Sequence, residues 1–168
     1  MVTNALIERY NLLNARYRDY AVLLSSEAML QWDMETKMPP GGSALRGEQL
    51  ALLSRMDHKM AIDPELGQLL EAVLSHADYP SLSEVQRRNV YLIKRAYSEN
   101  VALPEDLVAE TSKHSVACFS VWRKAKHAKD FSIFKPDLSR MFDLKRRAAL
   151  LLMEPKGVKT PYDAALDS

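Results

Sequence analysis

Apolar residues recur along this chain at steps of three and four, the spacing that places them on one face of a helix. From about Thr3 to about Glu35 the recurring set is Leu6, Tyr10, Leu13, Tyr17, Ala21, Leu24 and Ala28. At 1.5 Å per residue this first predicted helix is roughly 45 Å long, a strut suited to something larger than a small domain. Met38-Pro39-Pro40 ends it, because a residue before proline is pushed out of the helical region. Gly41-Gly42 then reverses the chain, and Ser43 is the expected N-cap of a second helix with Leu45, Leu52, Leu53, Met56 and Met60 inside. Asp63-Pro64-Glu65 announces a third, with cap, first-turn proline and an acid at the positive end of the dipole. It carries Leu66, Leu69, Leu70, Val73 and Leu74, and ends near His76.

A fourth helix opens at Ser83-Glu84-Val85-Gln86, a capping box, with Val85, Leu92, Ile93, Ala96 and Tyr97 on its buried side. The fifth runs from Pro104-Glu105-Asp106 to about Lys129, through Leu107, Thr111, Cys118, Val121, Trp122 and Ala125. After the connection Asp130-Phe131-Ser132-Ile133-Phe134, Pro136 opens a sixth, with Leu138, Met141, Phe142, Ala148, Ala149 and Leu152 inside. Thr160-Pro161-Tyr162-Asp163 reads as the cap and first turn of a helix that barely continues. No alternating run is long enough for a strand. The expected fold is all-α: a single helical region over residues 1–168, about six helices in antiparallel, bundle-like packing joined by short Pro-rich turns.

Composition agrees with a globular chain of 168 residues, 47% hydrophobic and 27% charged. A formal net charge of +1 argues against a nucleic-acid partner, which calls for a marked basic excess. The longest apolar run, Ala148 to Met153, is far short of a bilayer span. The start MVTNALIERYN has an acid and polar groups where a signal peptide needs an apolar run. A cytoplasmic protein with no membrane partner is the expectation. The single cysteine, Cys118, forms no internal disulfide or cysteine-based metal cluster and reads as a small buried hydrophobe.

Recognisable catalytic chemistry is missing. The four histidines, His58, His76, His114 and His127, have no second histidine three or four residues away, and none is followed by Glu. The paired imidazoles of a helical zinc hydrolase are therefore absent. His58 and His127 read as surface residues, and His114 as a half-buried histidine satisfied by a hydrogen bond. There is no Gly-x-Ser-x-Gly elbow, and Gly41-Gly42 lacks the spacing and ending of a phosphate loop.

Three stretches nevertheless carry a resemblance. The first is "LQWDMETKMPPGGSALRGEQLALLSRMDHK", with Leu30, Trp32, Asp33, Met38, Pro39, Gly41, Gly42, Arg46, Glu48, Gln49, Leu50 and His58 at the matching places. The second is "LPEDLVAETSKHSVACFSVWRKAKHAKDFSIFKPDLSRMFDLKRRAA", and the third is "PYDAALD". In this order they resemble the amino-terminal third of the Taq-type thermostable metallocarboxypeptidases. Lys59 stands where that family commonly has Glu, and Ala165 where it has Leu.

The resemblance implies a helical, cleft-containing enzyme that removes C-terminal amino acids from peptides, usually as a homodimer. Its zinc-binding His-Glu-x-x-His lies beyond the stretch matched here. No catalytic or metal-binding residue carries over, and zinc or a similar divalent metal is expected only in the complete enzyme. The signature residues Trp32, Asp33, Met38, Pro39, Arg46 and Gln49 are expected to be structural, with Trp32 a core anchor and Asp33 a partner for the turn's amides or for Arg46; the alternative for Trp32 and Asp33 is direct contact with peptide in the complete enzyme. The expected function is the wall or lid of the peptidase cleft, inactive alone. Its partners would be the remainder of the peptidase chain or a second copy, with peptide substrate only in the complete enzyme. The alternative is a stand-alone helical interaction or oligomerisation protein derived from a truncated peptidase gene.

Overall fold

The computed structural model describes residues 3–166, apart from the side chains of Pro40, Ser43, Ala44 and Val116. The helices are α1 (Asn4–Thr36), α2 (Ser43–Ala61), α3 (Pro64–Leu74), α4 (Glu84–Ala102), α5 (Glu105–Ala128), α6 (Lys135–Lys156) and the single-turn α7 (Pro161–Ala165). Short 3-10 turns at Pro40–Gly42, Tyr79–Ser81 and Phe131–Ile133 lie between them, and there is no strand among the described residues. The protein is all-α. None of these helices is long and apolar enough to cross a membrane.

Local chemistry sets the boundaries. Asp63 accepts a hydrogen bond from the Glu65 amide at 2.9 Å, with Pro64 in the first turn of α3. At the start of α4 the Ser83 amide donates to Gln86 Oε1 at 2.9 Å, and the Gln86 amide to Ser83 Oγ at 3.2 Å. The capping box read from the sequence is thus formed, and two orphan donors are satisfied. Gly157, at φ 64°, terminates α6 while the Val158 amide reaches Met153 O at 3.0 Å. That left-handed conformation favours glycine. Thr160 caps α7 by accepting from the Asp163 amide at 3.1 Å. At the start of α2 the cap position is Gly42 rather than the expected Ser43, which is already the first helical residue. The 3-10 turn Pro40–Gly42 runs directly into α2, which begins one residue earlier than expected.

The chain divides into two compact units, the first reaching Asn100 and the second starting at Val101. In the first, α1 is the strut. Arg16 on α1 pairs with Asp63 at 3.1 Å and with Glu65, while Arg9, nearer its start, reaches Ala72 O at 3.5 Å. As α3 advances it meets earlier residues of α1, so the two run antiparallel. Asn89 on α4 donates to the Tyr10 hydroxyl at 2.9 Å. Leu6, Tyr10, Leu13, Leu66, Leu70, Val73, Leu82, Val90 and Ile93 form the core between them. Each large side chain buried there contributes roughly 1.5–3 kcal/mol. A Cβ on Gly67 would collide with the Tyr97 ring, so glycine is what lets α3 and α4 approach.

In the second unit α5 and α6 pair antiparallel: Glu110 meets Arg140 and Arg147, and four residues later His114 Nε2 lies 2.9 Å from Asp137 O. Leu107, Cys118, Ala125, Leu144, Ala149 and Ala164 are its buried residues. Several positions expected inside are exposed: Leu45, Leu52, Met56, Val85, Leu92, Trp122 and Phe142. On α1 the expected face holds from Leu6 to Tyr17, but Ala21, Leu24 and Ala28 turn outward and the inner row continues as Tyr20, Leu23, Glu27, Leu30 and Asp33. The inward choice there is set by α2, whose facing row is Arg46, Leu50, Leu53, Asp57 and His58.

Candidate functional site

The signature residues gather where α1 ends and α2 begins. Lys37 and Met38 amides both donate to Asp33 O, at 2.9 and 2.8 Å, which closes the last turn of α1 before the prolines. Half-buried Met38 then folds against Gly42, where an added Cβ would lie 3.2 Å from Met38 Cγ. Arg46, one turn into α2, reaches back to α1. Its Nη2 pairs with Asp33 Oδ2 at 2.7 Å, Nη1 donates to Leu30 O at 2.6 Å, and Nε donates to Gln49 Oε1 at 3.0 Å. The guanidinium thus uses three of its donors in a planar fork that a lysine cannot reproduce.

The structure therefore brings Asp33, Arg46 and Gln49 into one cluster, with Met38 beside the turn. Pro39 is exposed and takes no part in the cluster. Trp32, expected as a core anchor, is 54% exposed. Its carbonyl accepts from the Thr36 hydroxyl at 2.7 Å.

Three turns beyond Arg46 on α2 lies a polar cluster that the sequence reading missed. His58, expected on the surface, is half-buried, and His58 Nε2 and Asp57 Oδ1 are both buried without a hydrogen-bond partner. Burial pushes the Asp57 carboxyl above its ordinary value, with His58 pulling slightly the other way. Glu27 on α1 is raised by burial and then by the Asp57 charge, and the Tyr20 hydroxyl is raised by burial and by Asp57. The signal available in the sequence was helical spacing: Asp57 stands eleven residues after Arg46, three turns along the same face.

Other titratable groups have plain structural roles. His76 Nδ1 accepts from the Asp78 amide at 3.1 Å. His114 is half-buried and hydrogen-bonded as expected, and His127 is exposed. Cys118 is buried, and burial raises its thiol above the ordinary value, which disfavours the reactive thiolate. Among the described residues no group of three or more His, Cys, Asp or Glu could hold a metal ion. The described residues do not fit a zinc site.

Comparison with known proteins gives this arrangement a context. The family described as carboxypeptidase Taq (M32) metallopeptidase matches residues 12–168. Thermostable carboxypeptidase 1 of Pyrococcus furiosus is 31% identical over 153 residues, covering 91% of this chain and 30% of that protein. Thermostable carboxypeptidase 1 of Thermus thermophilus is 32% identical over 156 residues, covering 89% and 31%. The solved structure of a Pyrococcus furiosus carboxypeptidase superposes with a TM-score of 0.81 at 30% identity, over 94% of this chain and 30% of that one. The chain thus spans about a third of the length of the relatives it matches.

Proposed function

The chain belongs to the carboxypeptidase Taq (M32) family of metallopeptidases, and from that premise we propose that it is the amino-terminal helical portion of a zinc metallocarboxypeptidase. In the complete enzyme this portion forms a wall or lid of the cleft from which C-terminal amino acids are removed, and it works in the cytoplasm. The observation that carries the reading is the family match over residues 12–168, set beside coverage of only about a third of each relative. Zinc and the groups that activate water belong to the remaining part of the enzyme. The role of this chain is mechanical: the Arg46 clamp holds the α1–α2 hairpin in one geometry, and the outer apolar residues of that hairpin pack on the rest of the peptidase. Exposed Leu24, Met29, Trp32, Leu45 and Leu52 support this part of the reading, because such side chains are costly to leave in water.

The test uses the purified chain alone. Incubated with peptides and with added zinc or cobalt, it is expected to release no C-terminal residue and to retain no stoichiometric metal after desalting. Metal-dependent release by a preparation free of contaminating peptidase would overturn the proposal.

A further inference from the structure

The second half of α5 carries a cluster with no part in the site above. Phe119, Trp122, Arg123 and Lys126 stand at i, i+3, i+4 and i+7, one stripe along the helix. Phe119 and Trp122 stack, with centroids 5.7 Å apart and planes inclined at 29°. The Arg123 guanidinium lies over the Phe119 ring at 5.9 Å, and Lys126 Nζ over the Trp122 ring at 4.9 Å. Both rings are exposed, and Trp122, Arg123, Lys126 and His127 line a shallow depression of about 420 Å³.

Charge sets this stripe apart. Between Thr111 and Lys129 the chain has Lys113, Arg123, Lys124, Lys126 and Lys129, with no Asp or Glu, although its overall net charge is only +1. On neighbouring α6 the arginines are matched: Arg140 and Arg147 share Glu110, and Arg146 reaches Asp143 at 3.2 Å. Among the described residues no carboxylate pairs with Arg123 or Lys126. The helix dipole accounts for cations in the last turn, Lys126 and His127. It does not account for Arg123 or for two exposed aromatic rings further up the helix.

We infer that this face of α5 docks a separate acidic polypeptide segment. Its carboxylates pair with Arg123 and Lys126, and its apolar side chains cover Phe119 and Trp122. Arginine with large aromatics is the composition of a protein-binding surface, and opposed charges fix the register of such contacts. Two other polyanions fit less well. Single-stranded nucleic acid stacks its bases on open aromatic faces, but here Phe119 and Trp122 cover each other and carry cations on their faces. Insertion into an anionic bilayer would carry Lys126 inward with the indole it covers, at high cost.

Fluorescence anisotropy of a short fluorescein-labelled peptide of alternating glutamate and leucine, titrated with the full chain at low salt, tests the inference. Saturable binding that weakens as salt is added is expected, with the double variant R123E/K126E binding about tenfold or more weakly. Charge reversal of exposed Lys145 on α6 should leave the affinity within about twofold. Circular dichroism checks that the variants fold, and R123Q/K126Q replaces the reversal if it does not. Absence of peptide binding, equal weakening by K145E, or tighter binding to oligothymidylate or phosphatidylserine vesicles than to the peptide would overturn it.

Discussion

Arg46 shows what a single signature residue does here. Its side chain is only 15% exposed; two of its contacts, to Asp33 and Leu30 O, tie the last turns of α1 to the first turn of α2, and the third, to Gln49, holds it within α2. Hydrogen bonds to charged groups contribute roughly 1.5–3 kcal/mol each, and removing the arginine also leaves Asp33 without its counter-charge. Arg46→Ala is expected to lower the unfolding free energy by about 2 kcal/mol, read from urea denaturation followed by circular dichroism. Arg46→Lys should recover less than half of that loss, because one ammonium cannot reach Asp33, Leu30 O and Gln49 together. A loss of less than about 0.5 kcal/mol in Arg46→Ala would mean that the clamp is ornamental. The pairing of Asp33 with Arg46 was legible as one of two options, since both flank a turn short enough to bring them together. The exposure of Trp32 was not: a tryptophan near a helix end is buried or bare according to what else packs there.

At the scale of elements, the α1–α2 hairpin has polar side chains in its seam and many of its apolar ones outside. Periodicity located the helices because backbone hydrogen bonding imposes the period whatever covers the faces. It misassigned part of the inner face of α2, where Leu45, Leu52 and Met56 are exposed but Leu53 and Met60 are half-buried, and that of the second half of α1, because it took the more apolar stripe to be the inner one. In the seam, burial raises the carboxyl groups of Glu27 and Asp57, so the folded state holds their protons more tightly than the unfolded chain. The penalty is absent below the ordinary values, 3.8 for Asp57 and 4.5 for Glu27, and grows as pH rises through the raised ones. The contribution of these two groups therefore falls as pH rises from the ordinary values to the raised ones and is constant above them. Asp57→Asn is expected to flatten this part of the pH profile and to raise the urea midpoint at neutral pH. An unchanged profile would show that water reaches the seam and screens both charges.

For the molecule as a whole, the outer residues Leu24, Met29, Trp32, Leu45, Leu52 and Met56 are its most consequential surface. The purified chain is expected to self-associate through them, with a sedimentation coefficient that rises with concentration. Met29→Glu combined with Leu52→Glu should restore concentration-independent behaviour, and a wild-type chain already monomeric at high concentration would remove this surface from consideration. By itself the sequence determined the helical class, six helices with a short last turn, and the caps at Asp63, Ser83 and Thr160. It also pointed to the family, because period, proline placement and capping are local properties that survive whatever surrounds them. Tertiary structure alone decided which stripe of each helix faces inward, that Asp57 and His58 are drawn into a seam, and that Trp32 is exposed. Those outcomes depend on which helices meet. Burial is a property of the neighbours, and about two-thirds of the length of the known relatives lies outside the stretch this chain matches.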